Sequence, residues 1–86
     1  MNPAAAFHAA AASVLRDRGE RASQRAVAAI VGEHQQLYGA YVRGRSHIGT
    51  AKIAAYLRRW ADTGRAPITL TWTVDTGWLA AKGDAR

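Results

Sequence analysis

Cysteine is absent from this chain of 86 residues, and proline occurs only twice. Without cysteine there is neither a disulfide framework nor a cysteine-based metal site, and this composition is compatible with a reducing cytoplasm. Acidic residues are also few, 6 against 12 lysines and arginines, so the net charge is +6. This excess points to an anionic partner, namely nucleic acid, an acidic protein or a membrane surface, although a soluble protein can also simply be basic.

Long apolar runs are missing as well. No stretch approaches the roughly 18 apolar residues that a membrane helix needs, and the alanine-rich N-terminal run has no basic region before it. We therefore expect neither a membrane span nor a signal peptide. A chain of 86 residues is predicted to form one folded unit with a thin core, which helical packing or a partner subunit would support.

The residue patterns of known catalytic sites are not present. The three histidines, His8, His34 and His47, include no pair at the i, i+4 spacing of a helical metal site. The sequence contains no nucleophile elbow, no glycine-rich phosphate loop and no paired carboxylates. We therefore predict that the protein is not an enzyme and uses neither a metal nor another cofactor.

Four segments carry apolar residues at helical spacing, and we predict helices at about 3–18, 24–31, 34–43 and 50–61. Asn2 and Pro3 begin the first, and Gly32 ends the second in a left-handed conformation. The third segment has one apolar face, which consists of Leu37, Tyr38, Tyr41 and Val42. The buried side of the fourth is predicted to contain Ile53, Leu57, Trp60 and Ala61.

After Pro67 the hydrophobic period changes to two, which predicts a β-strand at 68–74. No second strand is evident, and Ala80–Arg86 is predicted to be a frayed tail. Because one strand cannot satisfy its own backbone, we expect it to pair with a second copy of the chain. The predicted dimer interface consists of Ile68, Leu70, Trp72, Val74 and Trp78. Alternatively, the strand packs on its own helices or forms a hairpin with Trp78–Lys82.

The stretch Ser23–Arg45 contains a spaced set of four residues, Gln24, Ala28, Gly32 and Tyr38. In this spacing the chain resembles the helix-turn-helix of the Cro and phage-repressor group, the XRE-like proteins, over about residues 3–63. Small residues at the helix crossing and glycine at the turn are physical requirements of two closely packed helices. The chain departs from the pattern where Glu33 replaces an apolar residue and where Tyr38 replaces a smaller aliphatic one.

The strand pattern predicts a C-terminal strand and tail at 67–86, which pairs across a dimer. The resemblance implies that residues 1–66 form a mainly α, lambda-repressor-like domain of four or five helices. It also implies base-reading and phosphate-binding residues. The base-reading residues would be His34, Gln35, Gln36, Gly39, Ala40 and Arg43. The phosphate-binding residues would be Ser23, Gln24, Arg25, Arg45 and Ser46.

The side-chain chemistry of this set agrees with those roles. Glutamine pairs with the edge of adenine and arginine with that of guanine, and alanine offers a methyl contact to thymine. Contacts to phosphates would position the protein without reading sequence. The alternative for each of these residues is a place on a solvated helix face, where paired glutamines are common.

We therefore expect a sequence-specific repressor that binds a palindromic operator in double-stranded DNA as a homodimer. We expect it in the bacterial cytoplasm, associated with the nucleoid, with a second regulatory protein possible on the promoter. The size and the Ala/Arg-rich composition are similar to small phage and plasmid regulators, including the Kor-type plasmid repressors. The alternative function is a small protein-binding module, an antitoxin or a nuclease inhibitor, that uses its basic surface and its aromatic tail.

Overall fold

The computed structural model describes residues 1–83, which form four helices and then a two-stranded antiparallel sheet. The elements are α1 (Pro3–Asp17), α2 (Gln24–Val31), α3 (Gln35–Val42), α4 (Thr50–Asp62), β1 (Ile68–Thr73) and β2 (Gly77–Lys82). All four helices begin and end within one residue of the predicted bounds. The expectation of a mainly helical domain is thus confirmed, and the arrangement is consistent with the helix-turn-helix class.

Local side-chain bonds explain where the first two helices begin. Asn2 accepts a hydrogen bond from the backbone N–H of Ala5 at 2.8 Å, and Pro3 takes the first helical position. Ser23 accepts in the same way from Ala26 at 3.1 Å. Each bond satisfies a backbone donor that the helix itself leaves free, and such a cap contributes about 1 kcal/mol.

Aromatic side chains form the centre of the core. The ring of Phe7 on α1 lies 6.0 Å from Trp60 and 5.9 Å from Tyr56, both on α4. Tyr38 on α3 completes the group, 5.8 Å from Tyr56. The indole N–H of Trp60 donates to the carbonyl of Ala66 at 2.9 Å, so this buried donor is satisfied. These contacts join α1, α3 and α4 around one centre.

One prediction for α4 is wrong. Ala61 is exposed, and Tyr56 takes its place among the buried residues of this helix, with Ile53 and Trp60. The spacing 53, 56, 60 is as helical as the predicted 53, 57, 60, and Leu57 is half-buried beside the core. Ala61 lies in the last turn, on the solvent side of Trp60.

A salt bridge joins the segment after α4 to the connector between α1 and α2. The carboxylate of Glu20 accepts from the guanidinium of Arg65 at 2.7 Å and from Arg18 at 2.8 Å. The hydrogen bond from Arg65, followed by that from Arg18, lowers the pKa of Glu20 to about 2. The same Arg65 guanidinium lies 5.7 Å from the ring centre of Trp60, so the bridge also covers the core.

The prediction of a frayed tail from Ala80 onward is wrong over the residues that the structure describes. Residues 77–82 form the strand β2, which pairs with β1 of the same chain, as the hairpin alternative stated. Gly77 has φ +74, a conformation that glycine adopts without strain and that turns the chain back. Ala80 and Ala81 have little β propensity, which is why the sequence pattern of β2 is weak. The rest of the predicted tail, 84–86, lies outside the described residues.

The hairpin packs on α1 with one face of its sheet. Ile68 belongs to the same core as the helices, and Leu70 and Ala80 pack against it. The ammonium group of Lys82 bonds to Ser13 at 2.8 Å and to the carboxylate of Asp17. The segment predicted as a separate dimerisation unit therefore shares its core with the helical part. Among residues 1–83, no helix has both the length and the apolar character to cross a membrane.

Candidate nucleic-acid interface

The turn between α2 and α3 consists of Gly32, Glu33 and His34. Gly32 has φ +72, the left-handed conformation that ends α2. The guanidinium of Arg59 on α4 donates to the carbonyl of Val31 at 2.7 Å, and a β-carbon on Gly32 would overlap that guanidinium. The backbone conformation favours glycine here, and a β-carbon would in addition displace the Arg59 guanidinium from the Val31 carbonyl. Together these contacts fix the angle at which α3 leaves α2.

Glu33, the first departure from the helix-turn-helix pattern, has a specific place in the structure. Its side chain is only 13% exposed, and its carboxylate lies 2.8 Å from the Tyr56 hydroxyl and 2.8 Å from the Lys52 ammonium group. Burial opposes ionisation, but the bonds from Lys52 and Tyr56 outweigh it, and the pKa of Glu33 is lowered. A polar network thus occupies the position of the usual apolar residue.

Tyr38, the second departure, is fully buried. Its ring packs 5.5 Å from His8 and 5.8 Å from Tyr56, and its hydroxyl lies 2.8 Å from Nδ1 of His8. Burial raises the pKa of the phenol. The larger side chain is therefore accommodated because α1 supplies a polar partner for its hydroxyl. Tyr38 anchors the centre of α3 to the core.

The predicted base-reading residues divide into an exposed group and a buried one. His34, Gln35 and Gln36 lie exposed at the beginning of α3, and Arg43 lies exposed at its end. His34 also caps α3, because its Nδ1 accepts from the N–H of Gln36 at 3.2 Å. Ala40 is half-buried, and Gly39 is buried in spite of its predicted place on the reading face.

Gly39 faces α2, and its lack of a side chain allows a contact between the helices. A β-carbon at Gly39 would lie 3.0 Å from a terminal nitrogen of Arg43 and 3.1 Å from the side-chain oxygen of Gln24. Arg43 reaches over this position and donates to that oxygen at 3.4 Å. Gly39, which was predicted to read bases, is therefore the point where α2 and α3 approach each other closely.

A second contact joins the same two helices nearer to the turn. The Nε–H of Arg25 donates to the side-chain oxygen of Gln35 at 2.9 Å. Two residues predicted to bind phosphate, Gln24 and Arg25, are thus hydrogen-bonded to two predicted to read bases, Arg43 and Gln35. The structure brings the N-terminal turn of α2 and the polar face of α3 into one continuous surface.

The remaining predicted phosphate residues lie at the edges of this surface. Ser23 is exposed at the beginning of α2, where its hydroxyl caps the helix. Arg45 and Ser46 are exposed beyond the end of α3, and their backbone N–H groups donate to the carbonyl of Ala40 at 2.8 and 3.3 Å. Both side chains therefore extend from a well-held loop.

The predicted dimer residues have different environments. Ile68 is buried and Leu70 half-buried in the protein's own core, whereas Trp72 is 58% exposed and Val74 is 82% exposed. Trp78 is half-buried and lies directly across the hairpin from Trp72. The exposed apolar surface is consequently the tip of the hairpin and not the whole strand.

Three residues that hold the turn in place were not predicted from the sequence, namely Lys52, Tyr56 and Arg59. Lys52 and Arg59 lie outside the predicted buried side of α4, and nothing in a helical repeat indicates which basic residue reaches a carboxylate or a carbonyl. Within the described part of the chain, no group of three histidine, aspartate or glutamate side chains is arranged to hold a metal ion.

Comparisons with known proteins add no relative to these observations. No protein-family model matches this chain, and no match is found among curated protein sequences or among solved structures. The functional interpretation accordingly depends on the geometry and the chemistry of the surface formed by α2 and α3.

Proposed function

We propose that this protein binds double-stranded DNA in a sequence-specific manner and represses transcription as a homodimer on a palindromic operator. The observation that carries the proposal is the pair α2 and α3, which are joined by the three-residue turn at Gly32. The polar face of α3, which begins with Gln35 and Gln36, lies exposed beside the cationic end of α2. A helix of this kind inserts into the major groove while the preceding helix contacts the backbone.

The charge of the chain supports the same function. The net charge is +6, and Arg25, Arg43 and Arg45 are all exposed around the surface formed by α2 and α3. Arginine suits both phosphates and the guanine edge, because its planar guanidinium donates to two acceptors at once. The surface thus offers cations for the DNA backbone together with amides for the base edges.

The hairpin supports the homodimer through the open edge of β1. The original reason, a strand with no partner in its own chain, no longer applies because β1 pairs with β2. Gly83 N–H donates to the Pro67 carbonyl at 2.7 Å, so residues 67 and 83 are a hydrogen-bonded pair of the ladder. Because such pairs alternate, the N–H groups of Leu70 and Trp72 point away from β2. The outer edge of β1 is therefore available to a second copy, since an open strand edge favours pairing.

The experiment that tests the proposal is selection of duplexes from a random pool, followed by binding measurements at several salt concentrations. We expect one enriched palindromic sequence, and affinity for it that falls linearly on logarithmic axes as salt rises. Failure to enrich any sequence, with equally weak binding to every duplex, would contradict the proposal. The duplex upstream of the protein's own gene serves as a second probe in a gel-shift assay.

The alternative function, a protein-binding module such as an antitoxin or a nuclease inhibitor, is favoured by one observation. Trp72, Val74 and Leu79 are 58%, 82% and 48% exposed at the hairpin. Exposed aromatic and aliphatic side chains are typical of protein interfaces. Under this function, charged substitutions at Trp72 would abolish partner binding, and substitutions on α3 would leave it unchanged.

A further inference from the structure

The two glutamines that begin α3 differ in their hydrogen bonds. The side-chain oxygen of Gln35 accepts from Nε of Arg25 at 2.9 Å, whereas the side chain of Gln36 forms no hydrogen bond within residues 1–83. Arginine carries donors and no acceptor, so the Gln35 atom that faces it must be the oxygen and not the nitrogen. The orientation of this amide is thereby determined by its partner.

This orientation changes what Gln35 offers to a base. With its oxygen bonded to Arg25, the amino group is the part of the Gln35 amide that has no hydrogen-bond partner within residues 1–83. Guanine presents two acceptors in the major groove, N7 and O6, whereas adenine presents the acceptor N7 beside a donor, N6. Such an amino group suits the two acceptors of guanine. A bidentate contact with adenine would require the oxygen at the base edge as well.

We infer that Arg25 is a positioning residue that makes Gln35 read guanine, while the free amide of Gln36 reads adenine. The inference rests on the proposed DNA-binding function and adds to it the base preference of two neighbouring positions. It also explains why two identical side chains stand side by side at the beginning of a recognition helix. The bond from Arg25 leaves Gln35 only its amino group to offer to a base. The amide of Gln36 can turn to present both its oxygen and its nitrogen.

Arg25 can hold Gln35 and bind DNA at the same time. Of its guanidinium nitrogens only Nε is used in the contact with Gln35, and the two terminal nitrogens retain four N–H donors. Arg25 is exposed at the beginning of α2, where the recognition geometry places the DNA backbone. A phosphate bound by these donors would keep the guanidinium in place and so hold the Gln35 amide during base recognition.

The test compares selected binding sequences for the wild type and three variants, Gln35→Ala, Arg25→Ala and Arg45→Ala. Gln35→Ala identifies the base that Gln35 reads, because the preference at that base disappears. We expect guanine there in the wild type, preferred by about tenfold over adenine. In Arg25→Ala the preference at this base should shift to adenine, because the released amide can turn.

Arg45→Ala is the matched control, since it also removes one exposed cation but has no contact with Gln35. It should weaken binding to all duplexes alike and leave every base preference unchanged. Circular dichroism verifies that each variant is folded, and Arg25→Met provides the same test if Arg25→Ala is not.

The two proposals fail in different ways. If the wild type selects a specific sequence but Arg25→Ala retains the guanine preference, the inference is overturned and the DNA-binding function remains. Adenine in the wild type at the base identified by Gln35→Ala would overturn it as well. If the wild type enriches no sequence at all, both the inference and the proposed function are refuted.

Discussion

The hydroxyl of Tyr38 lies 2.8 Å from Nδ1 of His8, and this contact ties the middle of α3 to α1. Burial raises the pKa of Tyr38, so the phenol keeps its proton and can donate a hydrogen bond to the imidazole. Nδ1 of His8 can accept that hydrogen bond only when the ring is neutral. Burial, and secondly the charge of Arg16, lowers the pKa of His8 and favours that state.

We predict that acidification below the ordinary histidine pKa of 6.5 destabilises the fold through His8. The unfolded chain binds a proton as pH falls through this range, whereas folded His8 resists it. The contribution of His8 to the free energy of unfolding therefore decreases as pH falls and levels off below its folded pKa. Urea unfolding at pH 7.5 and at pH 5 measures the effect in the wild type and in His8→Asn.

The asparagine variant keeps a polar side chain but does not titrate in this range, so it should lose less stability between the two pH values than the wild type. Equal losses in both proteins would contradict a lowered pKa of His8 in the folded chain.

Gly32→Ala should destabilise the protein more than Gly19→Ala does. Both glycines have φ +72, so each substitution incurs the left-handed backbone strain of about 1 kcal/mol. Nothing lies within 4 Å of a β-carbon at Gly19, whereas one at Gly32 would overlap the Arg59 guanidinium. Denaturant midpoints of the two variants measure the difference.

The double variant Gly32→Ala/Arg59→Ala distinguishes the two causes of that loss. Removal of Arg59 relieves the overlap but also removes the hydrogen bond to the Val31 carbonyl. The double variant should therefore lose less free energy of unfolding than the sum of the two single losses. Additive losses would indicate that backbone strain alone requires glycine at this position.

Local signals in the sequence predicted the parts of the fold that local physics determines. Asn2 caps α1 where the sequence placed the start of that helix, and Gly32 ends α2 as expected. The second strand was predicted only as an alternative, because Ala80 and Ala81 become strand residues only through pairing with β1. Likewise, the place of Glu33 depends on α4, which is distant in sequence.

The candidate site shows the same limit. Exposure of Gln35, Gln36 and Arg43 agrees with a periodicity that leaves them opposite the apolar face of α3. The burial of Gly39 and the bond between Arg25 and Gln35 depend on how closely α2 and α3 approach. A sequence spacing identifies the two helices, but the distance between them is a property of the packed core.

Trp72→Lys should convert the proposed dimer into a monomer. Trp72 is 58% exposed on β1, where its N–H points to the open edge, and two lysines at a seam between copies would repel each other. Sedimentation should give about twice the chain mass of 9.2 kDa for the wild type and the single mass for the variant.

Leu79→Lys is the control for that experiment, because Leu79 is 48% exposed on β2 and points to the opposite face of the sheet. It should leave the dimer intact. A wild type that sediments as a monomer, or a Trp72→Lys variant that remains dimeric, would place any contact between copies away from the outer edge of β1.

Gln36→Ala and Arg45→Ala should weaken DNA binding in different ways. Gln36 has a free amide at the beginning of α3, so its removal should cost about 1–3 kcal/mol on the selected operator and less on random DNA. Arg45 is exposed beyond α3, so its loss should weaken binding to every duplex and reduce the salt slope by about 1. Fluorescence anisotropy titrations with both duplexes at several salt concentrations separate the effects. Equal losses on operator and random DNA in Gln36→Ala would remove this residue from base recognition, because a contact that reads sequence must discriminate between duplexes.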